Sequence, residues 1–156
     1  MSEGTSGNAD VSPVLERLDE AECLRLISPG GIGRIAFTGR YGLTVLPVNY
    51  KLHDGAIVFR TAQDSPTGED LRTGIAHAEY QVAFEIDQIN PETRDGWSVL
   101  IHGPAHHMSS DAEQAAVEAS GVTPWPRGAH EHAIRIIPTT ITGRRLSHPA
   151  LSPKSI

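Results

Sequence analysis

From Arg34 onward the chain alternates short apolar runs with turn residues, at the period of two expected of β-strands. Arg34-Ile35-Ala36-Phe37-Thr38 is followed by a turn at Gly39 to Gly42 and then by the run Leu43 to Tyr50. Asp54-Gly55 is a two-residue hairpin signal leading into Ala56 to Thr61. Further strands are predicted over Gln81 to Ile89, Trp97 to His107 and His132 to Arg145, the last broken by Pro138. Ahead of the strands, Leu18-Asp19-Glu20-Ala21-Glu22 opens a short helix that Pro29-Gly30-Gly31 stops. There Asp19 can cap the amide three residues on, Glu22 can reach back, and Leu18 can staple against Cys23. Two more helices are predicted, one between Pro66 and His77 with Ser65 as cap, the other from Ser110 to Gly121 behind a Ser110/Glu113 capping box. The sum is a mainly β domain: a six-stranded antiparallel split β-barrel with two or three peripheral helices.

The polar, Gly/Ser-rich stretch 1–12 reads as a tail, 13–146 as one continuous domain, and 147–156 as a second tail. At 156 residues the chain is the size of one domain and needs no disulfide to fold. Its one cysteine, Cys23, excludes an internal disulfide and fits a cytoplasmic setting. A formal charge of −6 argues against a general nucleic-acid binder. No uncharged apolar run approaches the roughly 20 residues of a membrane span, and no secretory signal is recognisable. The edges of so small a barrel often pair with a second subunit, which makes a dimer the default expectation.

Of 13 basic residues eleven are Arg, and only Lys51 and Lys154 are Lys. A GC-rich genome explains that bias; a set of guanidinium forks converging on a phosphate is the functional alternative. Arg60-Thr61 ends a strand and is followed, at Ser65, by a predicted helix start, so a guanidinium, a hydroxyl and open helix amides fall together as parts of a phosphate site. Pro47 sits inside a strand pattern, which places it at an edge, at a bulge, or where the backbone faces something other than a strand. An ordinary edge strand is the plainer reading. The sharper one is that Pro47-Val48-Asn49 offers backbone groups and an amide to a flat, hydrogen-bonding ligand.

Trp97 and Trp125 read either as core or as walls of a ligand cleft. The histidine-dense spots, His106-His107 and His130-Glu131-His132, lack metal-ligand spacing, and strand neighbours such as His106 and His107 point to opposite faces. No metal site is expected. Gly30-Gly31-Ile32-Gly33 precedes a strand and is no dinucleotide fingerprint, no Gly-x-Ser-x-Gly elbow occurs, and no pair of acids has a spacing that specifies acid/base work.

Three runs, Gly33-Arg34-Ile35-Ala36, Leu46-Pro47-Val48-Asn49-Tyr50 and Ile57-Val58-Phe59-Arg60-Thr61-Ala62, resemble the flavin-binding split barrels related to pyridoxamine 5′-phosphate oxidase. Val82 to Asp87, Gly96-Trp97-Ser98-Val99, Arg135-Ile136-Ile137-Pro138 and Gly143-Arg144-Arg145 extend the similarity over about Leu18 to Arg145. The resemblance implies an FMN-dependent oxidoreductase, a homodimer with the cofactor at its interface. Val45, Leu46, Pro47, Val48 and Asn49 would run along the isoalloxazine ring. Arg60, Thr61 and Ser65 would hold the phosphate, while Trp97, Ser98, Trp125 and Arg135 would come from the partner subunit. Family members usually carry a lysine shortly after the Arg/Thr pair; here Asp64-Ser65-Pro66-Thr67-Gly68-Glu69-Asp70 has none and holds three acids. An acid against a phosphate costs a few kcal/mol at an effective dielectric of about 20, so Arg72 or a partner arginine would have to compensate. The pyridoxamine-phosphate substrate site is not recognisable, and the substrate stays open. The alternatives are a deazaflavin-coenzyme-dependent reductase on the same fold and a non-catalytic cofactor-binding or sensing protein.

Overall fold

The alternating pattern folds into an antiparallel sheet that closes on itself. The structure, a computed structural model, describes residues 13–62, 80–107 and 131–148. In chain order they form β1 (Val14–Leu18), α1 (Glu20–Ile27), β2 (Gly31–Gly39), β3 (Gly42–His53), β4 (Ala56–Ala62), β5 (Gln81–Asn90), β6 (Asp95–His107), β7 (Glu131–Ile136) and β8 (Thr140–Ser147). The sheet order is β1-β8-β6-β5-β2-β3-β4-β7, and β7 returns to pair with β6. Six strands thus form the predicted closed barrel, and β8 and β1 extend it from the side of β6.

The long strand β6 makes the split. One of its edges pairs with β5 from Asp95 to Pro104. The other is shared: Gly96 to His102 pair with β8, and Ala105 to His107 with β7. The chain passes between β7 and β8 over Gly103, where an added Cβ would lie 2.0 Å from the Ile137 carbonyl oxygen. Pro138 sits at this switch, so the single strand expected over 132–145 is two strands on two partners. The β1 strand is a second correction, because the sequence pattern contains no strand there, and β8 runs one residue into the expected tail. The helices predicted over 66–77 and 110–121 lie outside the described residues.

Alternate residues of the barrel strands fill one core: Ile35 and Phe37, Val48 and Tyr50, Ile57 and Phe59, Phe84 and Ile86, Val99 and Ile101, Ile134 and Ile136. The Phe84 ring stacks on Phe59 at 6.1 Å and meets Tyr50 edge-on at 5.6 Å. Gly33 makes room for it, since a Cβ there would meet the Phe84 ring at 2.2 Å. The Asp54-Gly55 turn has positive φ at both residues (51° and 79°), as the hairpin signal requires.

Helix α1 covers β8 and one barrel end. Asp19 caps it as expected, its carboxylate accepting from the Glu22 amide at 2.8 Å. Glu22 does not reach back to complete a capping box; its side chain accepts from Arg25 Nε at 2.9 Å and Arg145 Nη2 at 3.0 Å. Those two guanidinium groups hold its carboxyl down at about 2. At the far end, the buried Tyr50 hydroxyl donates to the Ile27 carbonyl at 2.8 Å, and burial pushes that phenol up to about 12. No helix among the described residues is long and apolar enough to cross a membrane.

Candidate functional site

Two neighbouring strands part company at β3 and β4. They pair only from Tyr50↔Phe59 to His53↔Ala56, and no further pairing joins them among the described residues. Among the described residues the segment Gly42 to Asn49 therefore pairs with β2 alone. Pro47 lies on this edge stretch, where its missing amide donor breaks no ladder. Val45 and Pro47 are exposed on the outer face, whereas the Val48 side chain is buried and Leu46 packs against the core. From Leu46 and Val48, only backbone is available to a ligand outside the barrel. Asn49, one residue before the last pair, stands on the same face as Arg60 by register.

Strand β4 carries that face onward to β7. Val58 is opposite Arg135 and Arg60 is opposite Ala133, so Arg60 and Arg135 are diagonal neighbours on one face of one chain. Diagonal positions lie roughly 7–8 Å apart, within the span of two arginine side chains. His106 continues the row opposite Arg135. The Nε of Arg135 is buried and has no hydrogen-bond partner among the described residues. A buried, orphaned donor on a guanidinium is costly unless an acceptor reaches it, and an anion is the acceptor it suits best.

The remaining predicted residues are spread more widely. Thr61 follows Arg60 in β4, opposite His132. Ser65 and Trp125 lie outside the described residues. Trp97 packs against the core, and Ser98 sits on the outer face of β6 opposite Asp87. Among the described residues, no three His, Cys, Asp or Glu side chains are grouped to hold a metal ion.

The structure adds a cluster that the sequence reading passed over. Glu85 and Asp87, two apart on β5, share the outer face with Arg34 of β2, which reaches them at 3.3 and 3.4 Å. They line an open depression of about 400 Å³ whose other walls include Ala36, Val45, Ala83 and Leu100. Burial in these apolar surroundings, then the neighbouring Asp87, raises the Glu85 carboxyl to about 7, with Arg34 opposing. The available signal was the Glu-x-Asp spacing within a strand of period two. Depression and β3 edge adjoin through Val45.

Residues 19–145 match the family described as pyridoxamine 5′-phosphate oxidase. The uncharacterized protein Rv0080 of Mycobacterium tuberculosis is 33% identical over 136 residues, which cover 87% of this chain and 88% of that protein. Among solved structures, the FAD binding protein from Mycobacterium smegmatis is 30% identical with a TM-score of 0.67, over 83% of this chain and 98% of that one. A Corynebacterium glutamicum protein, provisionally named a pyridoxamine 5′-phosphate oxidase, is 26% identical with a TM-score of 0.69, over 85% and 94% of the two chains.

Proposed function

The chain belongs to the pyridoxamine 5′-phosphate oxidase family, and we propose that it is a flavin-dependent oxidoreductase of a small molecule, with FMN as cofactor. One observation carries this reading: Arg60 and the orphaned Nε of Arg135 share an outer face beside the unpaired edge of β3. A flavin nucleotide fits that donor set. Its phosphate would take Arg60 and Arg135, with Thr61 and Ser65 as further donors. The polar edge of its ring would take the backbone of Val45 to Asn49. The 30% identical relative named for FAD binding supports a flavin. Arg135 stands beside Arg60 in the same chain, so it supplies the second cation that the 64–70 segment lacks without recourse to a partner subunit.

A bound flavin supplies hydride chemistry; the protein binds it, orients it and limits water around it. The reading includes a homodimer with cofactor at the interface. Tyr41 and Leu43, 90% and 88% exposed at the tip of the β2–β3 hairpin, are surface that a second copy would cover. The test is the absorbance spectrum of the purified protein, followed by titration with FMN, FAD and a deazaflavin coenzyme, alongside its mass in solution. FMN binding at micromolar concentration by a dimer is the expected result. Tighter binding of another of the three reassigns the cofactor, and binding of none removes the reading.

A further inference from the structure

Strand β8 carries two consecutive arginines, Arg144 and Arg145, and the strand period sends them to opposite faces. Arg145 faces α1, where Glu22 accepts from it at 3.0 Å and Glu16 stands 3.5 Å away. Arg144 faces outward and receives none of that counter-charge. Directly opposite it on β1 is Arg17. Both are exposed, and neither has a hydrogen-bond or ion-pair partner among the described residues. Like charges directly opposite on paired strands repel, so the fold keeps an arrangement that costs stability.

Those two guanidinium groups line a groove of about 690 Å³. Ser98, opposite Arg144 on β6, adds a hydroxyl to the same row, so Arg17, Arg144 and Ser98 stand side by side across three strands. The groove walls are apolar at Leu15, Leu100 and Ile141. Glu85 closes it at the end away from the arginines, two strands from β8. We propose that Arg17, Arg144 and Ser98 form a binding site for a small organic anion, a carboxylate or phosphate carried on an apolar body. The two forks offer paired donors to a planar or tetrahedral oxyanion, the hydroxyl completes the set, and the apolar walls take the rest of the molecule. An anion here also relieves the repulsion between the two arginines. Within one chain the site is separate from Arg60 and Arg135, which stand at the opposite end of β6 by register. It takes Ser98, which the family resemblance sends to a partner subunit's flavin, as a ligand of this groove instead, and it does not rest on the flavin reading.

Calorimetric titration of the full chain with phenyl phosphate, benzoate and the neutral analogue benzyl alcohol tests the site. At least one anion binds, the neutral analogue binds about ten-fold more weakly or not at all, and the tighter anion identifies the head group. Arg144→Ala and Arg17→Ala each weaken that anion about 10- to 100-fold, the range for a charged hydrogen-bonding partner. Arg144→Lys, which keeps the charge and loses the fork, falls between. Without ligand, both alanine variants melt at or above the wild-type temperature, because they remove a like-charge pair. The inference is overturned if neither anion binds at millimolar concentration, if the alanine variants bind as wild type does, or if their unliganded melting points drop. Displacement of the anion by FMN would also overturn it, by moving the binding to the flavin site.

Discussion

On a strand, residues two apart share a face, and Glu85 and Asp87 are thereby held side by side against an apolar floor with Arg34 reaching both. Glu85 is raised from 4.5 to about 7 by burial and by Asp87. The native state therefore binds more protons than the unfolded state between these values, and stability falls as pH rises through that window. A full shift of this size would correspond to about 3 kcal/mol, but the side chain is a third exposed, and water reduces the effect to about 1 kcal/mol. Glu85→Gln should match wild type near pH 5 and exceed it by about 1 kcal/mol at pH 8, read from denaturant melts at both values. Equal differences at the two pH values would reject this. A second residue-scale test concerns Gly143, whose added Cβ would lie 2.4 Å from Cys23 Sγ under α1. Gly143→Ala should cost about 1–3 kcal/mol, the range for overpacking. Adding Cys23→Ala should recover part of that loss; strict additivity would show the clash is not with Cys23.

At the scale of elements, α1 is fastened at both ends by groups far away in sequence. Glu22 holds Arg145 of β8, and its carboxyl sits at about 2 because of Arg25 and Arg145. A lowered carboxyl contributes stability that is present above its unfolded value of 4.5 and is lost as pH falls through about 2. Glu22→Gln should lower the melting temperature at neutral pH, and the gap to wild type should close by pH 2. At the other end Tyr50→Phe removes the hydroxyl at 2.8 Å from the Ile27 carbonyl, at a cost of about 1–2 kcal/mol. The elements differ in how far the sequence shows them. The α1 cap is local chemistry, Asp19 to the Glu22 amide, and is legible in four residues. The β2–β3 and β3–β4 hairpins are likewise set by their turns. β1 is not: Val14-Leu15-Glu16-Arg17-Leu18 has no alternation of its own and is a strand because β8, more than a hundred residues later, pairs with all five residues. Glu22 was legible as a capping-box partner, yet the Arg25 guanidinium one turn on, joined by Arg145, which only the folded sheet brings near, outcompetes the local amide.

Closure of the whole barrel decides the site. Arg60 was readable as a phosphate ligand from its place at a strand end, and the β3 edge from Pro47. Arg135 was named only through the family resemblance, as a residue of the partner subunit. That it stands diagonal to Arg60 in the same chain was not readable, because β4 and β7 are separated in the chain by the 63–130 segment and meet only through the register Val58↔Arg135 and Arg60↔Ala133. On the proposed reading the same closure offsets the absent lysine: charge at a site depends on which strands become neighbours, and β7 brings a second guanidinium to β4. This can be separated from general destabilisation by using two ligands that differ only in the phosphate. Arg60→Ala and Arg135→Ala should each weaken FMN about 10- to 100-fold, as expected for loss of a charged hydrogen-bond partner. Riboflavin, which lacks the phosphate, should bind both variants as it binds wild type. Parallel losses for the two ligands would mean that the arginines shape the ring site or the fold, whereas a loss confined to FMN locates the phosphate between β4 and β7.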